Sequence, residues 1–96
     1  MPEKILQVYN IVKKIPRGKV ASYKEIARKA RIHPRAVARI LARNYDKNIP
    51  CHRVVYNDGK LGGYNRGIKN KIKLLEKEGV EIEKGKVNRK YKWKDL

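Results

Sequence analysis

The chain has 96 residues, enough for one modest hydrophobic core and too few for two. Its 26 Lys and Arg against 9 Asp and Glu give a net charge of +17, more than solubility requires, and point to a polyanionic partner. One cysteine excludes an internal disulfide, no His/Cys cluster supports a structural metal, and no apolar run approaches the ~18 residues of a membrane span.

The N-terminus carries apolar residues at helical spacing rather than the solid apolar block of a signal peptide. With a lone cysteine, this fits a reducing, cytoplasmic setting. Residues 1–75 hold 19 basic against 4 acidic residues, and residues 76–96 hold 7 against 5. The excess therefore lies in the body of the chain, interleaved with apolar residues, and is not a basic tail.

Pro2 suits the first turn of a helix with Ile5, Val8, Tyr9, Val12 and Ile15 along one face, ending before Pro16. Arg17-Gly18-Lys19 reads as a turn. Ser22-Tyr23-Lys24-Glu25 has the S-x-x-E form of a capping box, so a second helix should start at Ser22 and bury Ile26, Ala27 and Ala30. Pro34 opens a third helix with Ala36, Val37, Ile40 and Leu41 as its apolar side. Residues 22–43 thus read as a helix-turn-helix.

On the third helix Arg35, Arg39 and Arg43 are four residues apart and share one face. On an ordinary protein such a stripe is a solvated surface. On the second helix of a helix-turn-helix in so basic a chain, it suggests a nucleic-acid face.

Residues 44–52 form an irregular connection. Val54–Tyr56 and Lys60-Leu61 suggest a hairpin turning at Asp58-Gly59. Residues 62–67 are a Gly-rich loop. Ile68, Ile72 and Leu75 mark a fourth helix closed by Gly79. Val80–Trp93 suggests a final hairpin turning near Lys84-Gly85. The class is mainly α with small β-hairpins, a winged-helix-like helix-turn-helix domain.

A lone cysteine is usually a small buried hydrophobe. Cys51 differs in following Pro50 and preceding His52 and Arg53, two cationic residue types that favour a thiolate. Cys and His together are the ordinary arrangement for an activated sulfur nucleophile. Adjacent residues on an extended chain point apart, so His52 needs a bent backbone or a bridging water to serve the sulfur. The carboxylate that would orient His52 is open among Glu25, Asp46, Asp58, Glu76 and Glu78.

These residues carry a family resemblance. PCHRVV, preceded by SYKEIA and RAVARILARN and followed by GGYNRG and KLLEKEG, resembles the active-site domain of the O6-alkylguanine-DNA alkyltransferases, from about Glu3 to Gly79. Family members usually carry a further N-terminal domain, so the expectation for residues 1–96 is the active-site and DNA-binding domain alone. The resemblance implies a monomer that needs no cofactor, nucleoid-associated or, in a eukaryote, nuclear. Its partner is double-stranded DNA containing O6-alkylguanine, whose alkyl group moves irreversibly to Cys51 after the nucleotide flips.

By the same resemblance His52 takes the Cys51 proton through a water, and Glu78 holds His52. Tyr23 donates to the departing guanine, and Asn44 ties the helix-turn-helix to the active-site turn at 49–54. Arg35 fills the stack left by the flipped nucleotide, beside Ala36, while Arg39 and Arg43 meet phosphates. Tyr64 and Asn65 line the guanine pocket with Lys71 close by, and the carbonyls of Cys51 and Val54 read the guanine amino group.

Three positions depart from the family. Arg39 stands where small residues are common, the Asn44–Cys51 connection is one residue short, and bulky Arg66 at the pocket rim tells against large adducts. Two other functions compete. Alkyltransferase-like proteins bind the lesion without transfer and replace the cysteine, commonly with tryptophan. A plain helix-turn-helix regulator would leave PCHR, Tyr64 and Glu78 without a role.

Overall fold

The structure, a computed structural model, describes residues 3–96, so the placement expected for Pro2 lies outside the described residues. In chain order it contains α1 (Glu3–Lys13), β1 (Ala21–Ser22), α2 (Tyr23–Ala30), α3 (Pro34–Ala42), a 3₁₀ turn (Cys51–Arg53), β2 (Val54–Val55) and α4 (Ile68–Lys77). A hairpin of β3 (Ile82–Glu83) and β4 (Lys86–Val87) and a second 3₁₀ turn (Arg89–Tyr91) complete it. The fold is mainly α and built on a helix-turn-helix.

Local chemistry explains most boundaries. α1 ends at Lys13, and Lys14 and Ile15 continue it only as a turn, which still buries Ile15 before Pro16. Ser22 caps α2 with both halves of the capping box: its hydroxyl accepts from the Glu25 N–H, and Glu25 accepts from the Ser22 N–H. α2 stops at Arg31, in the left-handed region at φ 58°. α3 starts on Pro34, with the His33 ring nitrogen Nδ1 accepting from the Arg35 N–H at 3.1 Å as its cap. Lys84 and Gly85, both at positive φ, form the two-residue turn of the last hairpin.

Two expectations need correction. Val54 and Val55 do not form a hairpin with Lys60-Leu61; they pair in parallel with Ala21 and Ser22. The turn survives, closed by Gly59 N–H to Tyr56 O, with one cross-turn bond from Tyr56 N–H to Lys60 O, while Lys60 also bridges to Lys86. The parallel pairing wins because both strands are buried on both faces. Ala21 and Val54 face a core with Val8, Val12, Ile26 and Val37, whereas Val20 and Val55 face a second with Leu61, Leu75, Val80 and Val87. The two-residue strand period thus splits the apolar residues between two clusters.

The fourth helix stands where expected, over Ile68–Lys77, with Gly79 just past its end. Ile68 is exposed, and the inward position one turn later belongs to Lys71, which is fully buried. The final hairpin is also shorter than expected, spanning 82–87. After it the chain returns along Val20, with Val20 N–H bonded to Tyr91 O and Trp93 N–H to Val20 O.

Candidate active site

Pro50 precedes a single 3₁₀ turn in which Arg53 N–H reaches Pro50 O at 3.0 Å and Val54 N–H reaches Cys51 O. This winding supplies the bend that an extended Cys51-His52 pair lacked. Asn44, just past α3, donates from Nδ2 to Cys51 Sγ at 2.8 Å, while its Oδ1 accepts the Asp46 N–H at 3.0 Å. One amide therefore joins the helix-turn-helix to the sulfur. Cys51, His52 and Asn44 are all buried.

Of the five candidate carboxylates, Glu78 faces the histidine: its Oε2 lies 3.0 Å from His52 Nε2. Glu25 is committed to the α2 cap, Asp46 to Asn48 N–H, and Asp58 to Lys60 N–H. Glu76 is exposed. Glu78 is fixed by a residue the sequence reading placed elsewhere. Arg53 grips it with two bonds, Nε to Oε1 at 3.0 Å and Nη2 to Oε2 at 2.7 Å, and sends Nη1 to Ile15 O at 2.8 Å. The signal for Arg53 was present in PCHR, but charge alone suggested that it served the sulfur.

The electrostatics correct that expectation. Burial pushes the Cys51 thiol above its ordinary 9.0, against the opposing pull of the Asn44 hydrogen bond, Arg66 and Lys71. Burial likewise lowers His52 below 6.5 despite Glu78. Burial would raise Glu78, but the Arg53 and His52 hydrogen bonds outweigh it and keep the carboxyl below 4.5. At neutral pH the resting state is therefore a thiol, a neutral imidazole and a carboxylate. With Nε2 hydrogen-bonded to Glu78, the tautomer that donates there leaves Nδ1 as an acceptor.

Cys51 lies between two cavities. One, about 350 Å³, is bordered by Tyr23, Ala38, Ala42, Tyr56, Tyr64 and Asn65. The other, about 310 Å³, lies on the Asn44, His52 and Arg66 side. Tyr64 and Asn65 border both. Asn65 also anchors the wall, donating to Ala42 O at 3.2 Å and to Asn44 O. Arg66 sits at the rim, with Nη2 on Tyr45 O at 2.7 Å. Tyr23 is held near Cys51 with its hydroxyl pKa raised to about 12, chiefly by burial. It is a protonated donor at any ordinary pH.

Val54 and Lys71, expected in the pocket, line neither cavity. Val54 belongs to the core, and Lys71 Nζ stands behind the wall, donating to Val54 O at 2.7 Å, Gly63 O at 3.2 Å and Leu61 O. The Cys51 and Val54 carbonyls each already accept one bond, so each keeps one lone pair for a ligand.

α3 divides its sides three ways. Val37 and Leu41 enter the core, while Ala38 and Ala42 border the larger cavity. Arg35, Arg39 and Arg43 are exposed and, among the described residues, have no acidic partner. Ala36 lies beside Arg39 and Arg43 in a cleft against α1. A row of unpaired guanidinium groups thus runs along the helix that borders the cysteine cavity.

Residues 4–80 match the family model described as 6-O-methylguanine DNA methyltransferase, DNA binding domain. The methylated-DNA–protein-cysteine methyltransferase of Methanothermobacter thermautotrophicus is 47% identical over 78 residues, covering 80% of this chain and 44% of its own. The chain thus spans less than half the length of that relative. The crystal structure of O6-methylguanine-DNA methyltransferase from Pyrococcus kodakaraensis superposes with a TM-score of 0.75 at 41% identity, covering 83% of this chain and 48% of that one. S. pombe Atl1, solved with damaged DNA containing O6-carboxymethylguanine, superposes with a TM-score of 0.83 at 33% identity, covering 98% of this chain and 97% of its own. The match to the family model runs through both halves of the helix-turn-helix, the cysteine turn and the glutamate that meets its histidine, and the chain belongs to the 6-O-methylguanine DNA methyltransferase family, through its DNA-binding domain.

Proposed function

We propose that the chain repairs double-stranded DNA by moving an alkyl group from O6 of guanine onto Cys51, once per molecule and as a monomer. The observation that carries this reading is the connected set Asn44–Cys51 and His52–Glu78 beside a cavity with a protonated tyrosine. His52 Nδ1 takes the Cys51 proton through a bridging water, and Glu78 stabilises the resulting imidazolium. The Cys51 sulfur attacks the alkyl carbon; the S–C bond forms as the C–O6 bond breaks, and its electron pair passes to the guanine. Tyr23 gives the departing guanine a proton and regains one from His52, so the net exchange carries one proton from Cys51 to guanine. The thioether has no hydrolytic exit, which makes the reaction stoichiometric.

An alkyl carbon inside the duplex is out of reach of a buried sulfur, so the nucleotide must leave the stack. Arg35 fills the gap, and Arg39 and Arg43 hold phosphates. The test is intact mass after incubation with duplex containing O6-methylguanine. One added methyl group, mapped to Cys51, is expected; an unchanged mass with excess duplex refutes the transfer.

Atl1 favours a second reading. Its match extends over nearly the whole of both chains, including the C-terminal hairpin. A lesion sensor of that kind would shift methylated duplex in a gel and gain no mass. Cys51 argues for transfer.

The arginines should separate in kinetics. Arg39→Ala or Arg43→Ala is expected to weaken binding to all duplexes and lower the salt slope by about one. Arg35→Ala should slow transfer more than it weakens binding, and the defect should shrink when the lesion is mispaired and flips more easily. Transfer rates on paired and mispaired lesions decide it. Equal Arg35→Ala defects on both would make Arg35 an ordinary phosphate contact.

A further inference from the structure

Tyr56 has no role in the relay, yet it stands at the mouth of the larger cysteine cavity. It is half exposed, whereas its neighbour Tyr23 is 8% exposed. Its place is nevertheless rigid. Val55 before it is core, the Tyr56 N–H donates to Lys60 O at 2.8 Å, and the Tyr56 carbonyl accepts from Gly59 N–H at 2.9 Å. Its ring packs against Tyr23, with centroids 5.1 Å apart and planes tilted by 47°.

Gly62 secures this arrangement from the other side. It has φ +71°, and a Cβ there would lie 3.1 Å from the Tyr56 ring and 3.2 Å from the Tyr23 ring. The loop thus approaches both tyrosines as only glycine allows. Among the described residues the Tyr56 hydroxyl has no hydrogen-bond partner, so the ring is not placed for a polar contact within the chain. With Tyr64, three tyrosines border one cavity of about 350 Å³ that contains the sulfur. Aromatic walls around a reactive group suit a flat π-ligand.

We propose that Tyr56 is a specificity-determining residue, whose open face stacks on the extruded guanine while its other face braces Tyr23. The proposal rests on the transfer function above and identifies the outer wall of its pocket. Stacking on one base strengthens its binding about tenfold or more. Removing the ring should therefore slow capture of the base without touching the chemistry of the sulfur.

The experiment compares wild type, Tyr56→Phe and Tyr56→Ser on a single-stranded oligonucleotide carrying O6-methylguanine, where no flipping is needed. In parallel, iodoacetamide measures the intrinsic reactivity of Cys51. Tyr56→Ser should lower the second-order transfer rate about tenfold, Tyr56→Phe should stay within about twofold, and iodoacetamide rates should match in all three. Undiminished transfer in Tyr56→Ser, with wild type active, sinks the wall and leaves the transfer function standing. A parallel fall in iodoacetamide reactivity also overturns the proposal, because Tyr56 would then merely hold the fold of the site. A wild type that takes no methyl group refutes the transfer function itself and the pocket wall with it.

Discussion

Glu78→Gln is expected to slow alkyl transfer about a hundredfold while leaving DNA binding within a few fold. The carboxylate meets the His52 ring rather than α3, so its loss should fall on proton transfer. Burial has raised the Cys51 thiol and lowered the His52 imidazole, so neither is charged at neutral pH. Moving the proton from one to the other creates an imidazolium in a buried place, and the Glu78 charge is what offsets that cost. Glutamine keeps the shape and loses the charge. Wild-type transfer should persist at neutral pH, whereas Glu78→Gln should regain rate only as alkaline pH ionises the thiol directly. Rates within twofold of each other across that range would mean the His52–Glu78 contact is structural only.

The same substitution has a stability signature. The Glu78 carboxyl is held below its ordinary 4.5, with burial opposed by the stronger effect of Arg53 and His52. A lowered carboxyl contributes stability above the unfolded value and loses it as pH falls through the folded one. The stability difference between wild type and Glu78→Gln should thus be full at neutral pH and shrink below about pH 4.5. Urea melts at pH 7 and pH 3 measure it.

What the sequence made legible was local. The capping box at Ser22, the Pro34 helix start and the Lys84-Gly85 turn all stand where neighbouring residues place them, because each depends on bonds spanning a few residues. The cysteine turn was legible as chemistry, and the family resemblance paired His52 with Glu78 across 26 residues, a pairing the geometry contains. The parallel pairing of Ala21–Ser22 with Val54–Val55 was not legible. Strands of two residues have no periodicity to detect, and a local turn signal at Asp58-Gly59 suggested a hairpin instead. Arg53 was misassigned because sequence adjacency to Cys51 gave charge without direction. In the structure its guanidinium turns away to Glu78 and Ile15. α4 was legible from Ile68, Ile72 and Leu75, but the burial of Lys71 was not, because the three carbonyls that hold its ammonium lie 8 to 17 residues away in the chain.

That lysine carries the other large effect. Lys71→Met is expected to destabilise the chain by about 3 kcal/mol at pH 7. Methionine fills a comparable volume and removes a buried charge, which alone would help. It also strips the donor from Val54 O, Leu61 O and Gly63 O, and an unsatisfied buried carbonyl costs about 1–3 kcal/mol. Three such losses exceed the relief of the charge. Burial lowers the Lys71 ammonium from 10.5 to about 8, so it is still charged at pH 7 and able to donate all three bonds.

The pH dependence has a definite sign. Between about pH 8 and 10.5 the unfolded chain holds more protons than the folded one at this site, so wild-type stability gains from rising pH. The gain amounts to as much as about 3 kcal/mol across that window. Lys71→Met lacks it. Because the Cys51 thiol and the Lys71 ammonium act on each other's titration, both proteins carry Cys51→Ser for this comparison, so that Lys71 alone differs. The gap between the two should therefore widen from pH 7 to pH 10 in paired urea melts. A gap that stays constant would mean Lys71 keeps its unfolded proton affinity and is not buried as a charge. Since Gly63 adjoins Tyr64 and Asn65, freeing its carbonyl should also loosen the wall shared by both cavities. Transfer by the folded Lys71→Met protein should fall at least about tenfold, because a displaced pocket wall misplaces the base relative to the sulfur.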